Sequence, residues 1–273
     1  MIPKILKELE QGNWVIPILA KTFVSEISTF IEKLHDKIGS TRDIPFGMLA
    51  PMAYLKFENK ELEIFLTQKE EFKRVSFLGK NQNELKLNDF ARRFSPTCQV
   101  DQFQESKMTF SLKMRDEMSN SFPAAFESLG AIDLKFLPVR GAAFRAASHP
   151  HLIGTIALGE GYFKLGPLEA QKSIAHELAH QELFLINLVD RIVLPGREAG
   201  LDYSPLQKTE RPLIGRFHSA HALFRMIQFE RLNSMASIEA TTELLRKTLE
   251  KITLADLTPF GSDMVTNVFS KIF

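Results

Sequence analysis

The chain has 273 residues, of which 44% are hydrophobic and 25% charged, and its formal net charge at pH 7 is +1. This balance is typical of a globular protein with a sizeable core, and it offers no basic surface for nucleic acid or acidic lipids. The single cysteine, Cys98, excludes an intramolecular disulfide framework and a cysteine-based metal site. No apolar run reaches membrane-spanning length and the N-terminus lacks a secretion signal, so we expect a cytoplasmic protein.

The first third of the chain predicts helices followed by short strands. Residues 3–38 carry apolar side chains at helical spacing, with a break at Gly12-Asn13 that divides a short helix from a longer one. Residues 54–57 and 61–66 alternate well enough to predict a hairpin or two separate strands.

The middle of the chain predicts a small sheet. Residues 108–114 suit either a strand or the start of a helix, and residues 124–129 suit one or two helical turns. The clearest strand is predicted over residues 132–139, and a second over residues 152–158. A glycine-rich turn then leads into a long helix, so we expect a strand–turn–helix unit that seats this helix against the sheet.

The long helix is predicted from Pro167, at its first turn, to the stop signal Pro195-Gly196. Apolar residues from Leu183 to Ile192 cover most of its circumference, which indicates a buried helix. It contains the sequence HELAH at residues 176–180, an HExxH motif.

The HExxH motif predicts a metal site. His176 and His180 are four residues apart, so both imidazoles project from one helix face and can hold one divalent cation. Glu177 lies about 100° further round the helix, where it suits a base or proton relay for a bound water. The alternative is that both histidines are ordinary core residues with satisfied hydrogen bonds, but burying two imidazoles without partners is costly.

A working site needs at least a third ligand, and the chain offers three candidates. His218 and His221 lie three residues apart on a second long helix, predicted from about Pro212 to Ser234. Glu198, with Asp202 four residues later, would instead resemble the glutamate ligand of a zinc metallopeptidase, although nearby proline and glycine residues break the helix expected there. Further helices are predicted over residues 238–252 and 262–273.

Two arginines accompany the histidines of the second long helix. Arg211 and Arg225 each stand seven residues from His218 and share roughly its face, about 10 Å away along the axis. A guanidinium suits a carboxylate-bearing co-substrate, whereas a peptidase has little need of two near its metal. The alternative for each is an ordinary ion pair with a neighbouring acid.

The order HELAH (176–180), YSP (203–205) and RPLIGRFH (211–218) resembles the HExxH-motif peptide-modification proteins associated with ribosomally synthesised peptide natural products. The likeness covers about the last 100 residues and departs from the family pattern at Leu206-Gln207. It implies an Fe(II)- and 2-oxoglutarate-dependent dioxygenase that hydroxylates a precursor-peptide side chain.

The resemblance also implies roles for individual residues. His176, His180 and His218 would be the iron ligands, Glu177 a proton-handling group, and Arg211 the partner of the 2-oxoglutarate carboxylate. Nothing in residues 1–120 carries the likeness.

We therefore predict an α+β, predominantly helical fold in which the HExxH helix packs against a second long helix and a small sheet. Residues 1–120 would form an N-terminal helical and β lobe and residues 121–273 the metal-binding catalytic region, with a soft boundary that allows one compact domain. The predicted function is an Fe(II)/2-oxoglutarate-dependent hydroxylase of a peptide, with no nucleic-acid or membrane partner. The alternatives are a zinc metallopeptidase with Glu177 as general base, and a non-catalytic peptide-binding protein with a structural metal.

Overall fold

The helix that carries HELAH lies at the centre of the fold. The computed structural model describes residues 1–22, 91–92, 94–101, 105–132, 134–150 and 153–273. The predicted strands at 54–57 and 61–66, and most of the longer N-terminal helix, fall outside these residues. The described part is α+β and predominantly helical, as the sequence predicts.

The helices, in chain order, are α1 (Ile2–Glu10), α2 (Glu105–Ser121), α3 (Pro123–Ala131), α4 (Pro167–Val189), α5 (Leu213–Leu232), α6 (Ile238–Leu249) and α7 (Pro259–Asp263). Residues 16–22 are also helical. α7 continues through a π-helical turn, Met264–Val268, into a 3₁₀ turn, Phe269–Ile272. Residues 108–114 are therefore helical, as part of α2, and the predicted C-terminal helical stretch is confirmed.

The strands are β1 (Gln99–Val100), β2 (Lys135–Arg140), β3 (Ala146–Ser148), β4 (Thr155–Leu158), β5 (Leu201–Ser204) and β6 (Thr209–Pro212). Four of them form a sheet in the order β1-β2-β4-β3, in which only the β2–β4 pair is parallel. β2 and β4 confirm the two predicted strands, and every residue of β4 is buried. The edge strands β1 and β3 are two and three residues long, too short to give a period in the sequence.

α4 and α5 pack against each other in antiparallel orientation. Lys172 near the start of α4 reaches Glu230 near the end of α5, with 3.5 Å between Nζ and Oε1. Further along, His180 of α4 lies beside His218 in the first half of α5. The predicted packing of the HExxH helix against a second long helix is confirmed, and it brings the two histidine-bearing segments together.

α4 ends at Val189, five residues before the predicted end. Asp190 is already extended, with φ −146° and ψ 137°, and the Ile192 amide donates to the Asn187 side chain at 3.2 Å. The chain then runs past α7, where a Cβ on Gly261 would stand 2.3 Å from the Ile192 carbonyl oxygen. This close approach of two backbones requires glycine, and it replaces the last predicted turn of the helix.

The segment between α4 and α5 contains a β-hairpin, which the sequence does not predict. β5 and β6 pair in antiparallel register, with Leu201 opposite Pro212 and Ser204 opposite Thr209. Lys208 takes a left-handed conformation, with φ 54°, at the turn. The hairpin delivers Arg211 to the start of α5, immediately before the turn that leads to His218.

A buried carboxylate joins α4, α5 and the N-terminal segment. Glu182 of α4 receives two hydrogen bonds from the Arg225 guanidinium of α5, at 2.8 and 2.9 Å. It also accepts from the Val15 amide at 2.7 Å and from Nε2 of His221 at 2.9 Å. Burial alone would raise the pKa of Glu182, but the charge of Arg225 and the His221 hydrogen bond hold it below its usual value.

The hydrophobic core is continuous from the N-terminal helix to the last residues. Ile5 and Leu9 of α1 belong to the same cluster as Ile174 of α4 and Phe269 near the C-terminus. The division into lobes near residue 120 remains a prediction, because much of the first lobe lies outside the described residues. Within the part described, no helix combines the length and apolarity needed to cross a bilayer.

Replacing Arg225 with Met should strongly destabilise the protein. Glu182 would keep its burial but lose both guanidinium hydrogen bonds, and breaking a buried ion pair by removing one partner costs about 3–5 kcal/mol. The measurement is the free energy of unfolding in urea. The control is Arg246→Met on α6, where an exposed arginine pairs with Glu243 and Glu250, and its loss should cost far less than the loss of Arg225. Equal, small losses for the two variants would contradict the role given to the buried pair.

Candidate metal centre

His176 and His180 stand with their Nε2 atoms 3.1 Å apart on one face of α4. Imidazole nitrogens bind a divalent metal at about 2.0–2.1 Å, so two ligands on one ion are about 2.9 Å apart at a right angle and about 3.3 Å apart at a tetrahedral angle. The observed separation lies between these values. The pair therefore has the spacing of two ligands of one cation before any ion is placed there.

Glu177 lies beside this pair and is buried. Its Oε1 is 3.9 Å from His176 Nε2, its side chain is 7% exposed, and its Oε2 has no hydrogen-bond partner in the described structure. Burial raises the pKa of Glu177 to about 7, and this rise outweighs the opposing effect of Ser148. A buried carboxyl with a free oxygen and a pKa near neutrality is suited to taking and returning a proton.

β3 fixes the position of Glu177. The Ser148 hydroxyl at the end of β3 donates to the main-chain oxygen of Glu177 at 3.1 Å. The same strand pairs with buried β4, so the sheet holds α4 at the level of the motif. The predicted seating of the HExxH helix on a small sheet is confirmed, although the contact comes from β3, which the sequence does not predict.

His218 lies next to the HExxH pair but on the far side of the His180 ring. Its Nδ1 is 3.2 Å from Nδ1 of His180, the nitrogen opposite the one that faces His176. Phe184 packs against both rings, with centroids 5.0 Å from His218 and 6.4 Å from His180. The three imidazoles thus form a row, and His218 would become a third ligand only after its ring turns toward the Nε2 side of His180.

All three imidazoles are held neutral. Burial lowers the pKa of His176 to about 4 and, together with the charges of His221 and Arg211, that of His218 to about 3. The pKa of His180 falls well below its usual value, first through burial and then through the neighbouring histidines and Arg211. Neutral imidazole is the form that binds a metal, so the cluster keeps its lone pairs available through the physiological pH range.

Of the two arginines predicted to bind a carboxylate-bearing co-substrate, Arg211 remains available for that role. It lies exposed on β6, and its positive charge lowers the pKa values of His180 and His218, which places it within electrostatic reach of the cluster. Its side chain packs over Gly215 in the first turn of α5. No side-chain hydrogen bond or ion pair of Arg211 is found among the described residues, so its guanidinium is available to an anion.

The predicted role of Arg225 in binding a co-substrate is wrong. Its guanidinium is fully buried and all five of its N–H groups are used, by Glu182, Gln228 and the carbonyls of Gly12 and Asn13. The guanidinium carbon also lies 4.4 Å from the centre of the Trp14 ring. The spacing of seven residues places Arg225 on roughly the same face of α5 as His218, but its long side chain turns to the buried Glu182 of α4.

The structure does not bring the two alternative ligands to the HExxH pair. His221 gives its Nε2 to Glu182 and has no exposed surface, while its Nδ1 has no hydrogen-bond partner in the described structure. Glu198 accepts a hydrogen bond from the Gly196 amide within its own loop, at 2.7 Å. Its predicted use as a zinc ligand therefore has no support from a described contact.

One further contact of the site is absent from the sequence prediction. The sulfur of Met226, on α5, lies 3.1 Å from Nδ1 of His176. Met226 stands eight residues after His218, a little over two turns along α5 and about 80° further round it. This spacing was the available signal, but methionine at helical spacing ordinarily marks core packing.

The residues at this site suit a divalent cation, because two imidazoles offer ligand atoms and one carboxyl group lies beside them. The fit rests on the Nε2 pair of His176 and His180 and on the unpartnered oxygen of Glu177. As the side chains stand, no group of three or more histidine, cysteine, aspartate or glutamate side chains in the described ranges has its donor atoms arranged to hold a metal. No model of a known protein family matches the chain, and no curated protein is significantly similar to it.

The raised pKa of Glu177 predicts how stability changes with pH. In the folded protein the carboxyl binds its proton more tightly than in the unfolded chain, so the folded state is penalised as pH rises from about 4.5 through 7. Metal-free wild-type protein should therefore lose about 3 kcal/mol relative to Glu177→Gln between pH 4.5 and pH 8. Urea unfolding with a chelator present measures the difference, and Glu127→Gln, at an exposed carboxyl of α3, is the control. Parallel wild-type and Glu177→Gln curves would contradict the raised pKa.

Proposed function

We propose that the protein is a metal-dependent enzyme that modifies a peptide, an Fe(II)- and 2-oxoglutarate-dependent hydroxylase. The observation that carries this proposal is the pair of Nε2 atoms of His176 and His180, 3.1 Å apart beside the buried carboxyl of Glu177, with the Arg211 guanidinium within electrostatic reach of His180. Imidazole ligands suit iron, and the bound iron would supply the activation of oxygen needed to attack a C–H bond. The resemblance of the HELAH, YSP and RPLIGRFH segments to HExxH-motif peptide-modification proteins supports the same assignment.

The chain's own residues divide the remaining tasks. His176 and His180 would hold the iron, with His218 adjacent as the proposed third ligand. Glu177 would accept or return a proton at its Oε2, since this oxygen is buried, unpartnered and near neutrality in pKa. Phe184, packed on His180 and His218, shields one side of the imidazole row from water.

Arg211 is the residue proposed to bind the carboxylate of 2-oxoglutarate. Its guanidinium is exposed, has no described partner and lies close enough to influence two imidazoles of the cluster. An arginine presents two parallel N–H groups that match a carboxylate and so fixes its orientation. With Arg225 fully used inside the core, Arg211 is the one of the two predicted arginines that remains available for this function.

Binding of 2-oxoglutarate to the iron-loaded protein tests the hydroxylase directly. Under anaerobic conditions, addition of 2-oxoglutarate should produce a visible charge-transfer band. Arg211→Met should weaken 2-oxoglutarate binding about 10- to 100-fold, since it removes a charge-assisted hydrogen bond, while Fe(II) affinity changes little. Arg246→Met on α6 is the control for loss of a surface charge. Absence of the band in the wild-type protein, or equal binding by Arg211→Met, would count against the proposal.

A zinc-dependent peptidase is the second candidate, and the free oxygen of Glu177 favours it. A general base beside the metal pair could deprotonate a water for attack on a peptide carbonyl, and a buried carboxyl with pKa near 7 is suited to that work. Hydrolysis has no need of a guanidinium for a co-substrate, so Arg211 separates the two candidates.

Peptide hydrolysis by the zinc-loaded protein tests this alternative. With a quenched fluorescent peptide library as the probe, a peptidase should lose at least about 100-fold in kcat when Glu177 becomes Gln, since general-base catalysis contributes about that much or more. Glu127→Gln should retain the wild-type rate. Hydrolysis that depends on Glu177 and ignores 2-oxoglutarate would replace the hydroxylase assignment, and absence of hydrolysis with zinc would remove this candidate.

A further inference from the structure

The second nitrogen of His176 is paired with a thioether. Nδ1 of His176 lies 3.1 Å from Sδ of Met226, and this is the described hydrogen-bond partner of that nitrogen. A histidine that binds a metal ordinarily gives its other ring N–H to a carboxylate, a carbonyl or a water. At this site the partner is a neutral and weak acceptor.

The chemistry of the thioether fixes which nitrogen of His176 carries hydrogen. A methionine sulfur has no hydrogen to donate, so the contact is a hydrogen bond only when Nδ1 is protonated. A neutral imidazole has one N–H, which leaves Nε2 with its lone pair. Since Nε2 is the atom 3.1 Å from His180, the lone pair faces the position proposed for the cation.

We propose that Met226 is a positioning residue that holds His176 in its Nδ1–H tautomer and points the Nε2 lone pair into the metal centre. The functional consequence rests on the proposed metal-dependent function, but the tautomer is a property of the metal-free chain. In the metal-free protein the opposing Nε2 of His180 then carries hydrogen and donates to His176. Met226 thus acts through His176 and has no contact with a bound metal.

The alternative for Met226 is simple packing between α4 and α5. Met226 is half-buried and fills space in the helix interface, as methionine often does. Leucine has a similar volume without an acceptor, and glutamine has a similar length with a stronger one. The pair of substitutions Met226→Leu and Met226→Gln therefore separates packing from hydrogen bonding at one position.

The experiment measures the tautomer and the metal affinity separately. Two-dimensional NMR that correlates ring nitrogens with ring protons, on ¹⁵N-labelled protein with a chelator present, reports which nitrogen of His176 is protonated. A His176→Gln sample assigns the signal. Titration with Co(II), followed by its visible spectrum, gives the dissociation constant for wild type and each variant, and Met118→Leu, at a buried methionine of α2, is the control.

We expect wild type and Met226→Gln to have the proton on Nδ1, and Met226→Leu to shift toward the Nε2–H tautomer. Co(II) affinity should fall about three- to tenfold in Met226→Leu, less than the 10- to 100-fold loss usual for a carboxylate partner, and Met226→Gln should restore it. An unchanged tautomer in Met226→Leu, or a Met226→Gln variant that behaves like Met226→Leu, overturns the proposal. If the protein binds no Co(II), the proposed function fails, and the tautomer measurement still decides the role of Met226.

Discussion

The buried ion pair between Glu182 and Arg225 sets how α4 and α5 lie against each other. A carboxylate in the core is tolerated only with its partners in place, so α4 and α5 cannot slide or rotate without exposing an uncompensated charge. The register that keeps this pair together also sets His180 beside His218. The geometry of the histidine site therefore depends on the Glu182–Arg225 ion pair. The Val15 amide also donates to Glu182, so the N-terminal segment contributes to holding this pair in place.

Sequence reasoning predicted the elements whose signals are long and local. The spacing of apolar residues and the positions of proline and glycine predict the HExxH helix, α5 and the buried strands β2 and β4. The early end of α4 could not be predicted, because it comes from Gly261, far along the chain, packing against the Ile192 carbonyl. The hairpin β5–β6 was missed for a similar reason, since its strands are four residues each and largely exposed, and polar exposed strands carry no alternation.

For the candidate site, the sequence predicted which residues share a helix face, but it did not predict which partners their side chains contact. The i, i+4 spacing predicted that His176 and His180 share a face, and the structure adds that their Nε2 atoms face each other. The same reasoning gave Arg225 the correct helix face but the wrong partner, because a long side chain can reach either side of a helix interface. A buried acid two residues after His180 was the signal that could have redirected it, since a buried acid requires a basic partner. The partner that a long side chain contacts depends on the tertiary structure, and the spacing of residues in the sequence does not determine it.

The charges around the imidazole row give the last constraint on its chemistry. The three rings are neutral, Met226 contributes no charge, and Arg211 adds a positive one, while the nearby carboxyl of Glu177 has its pKa raised to about 7. Among these groups a divalent cation would meet one possible negative charge, that of Glu177, whose pKa the cation would itself lower. Such a centre gains most from an anionic ligand, which neutralises the cation and pairs with the free guanidinium at once. A co-substrate with a carboxylate meets both needs, whereas a metal-bound water, even when deprotonated to hydroxide, leaves the guanidinium without a carboxylate, and this asymmetry is the physical reason we propose 2-oxoglutarate before hydrolysis.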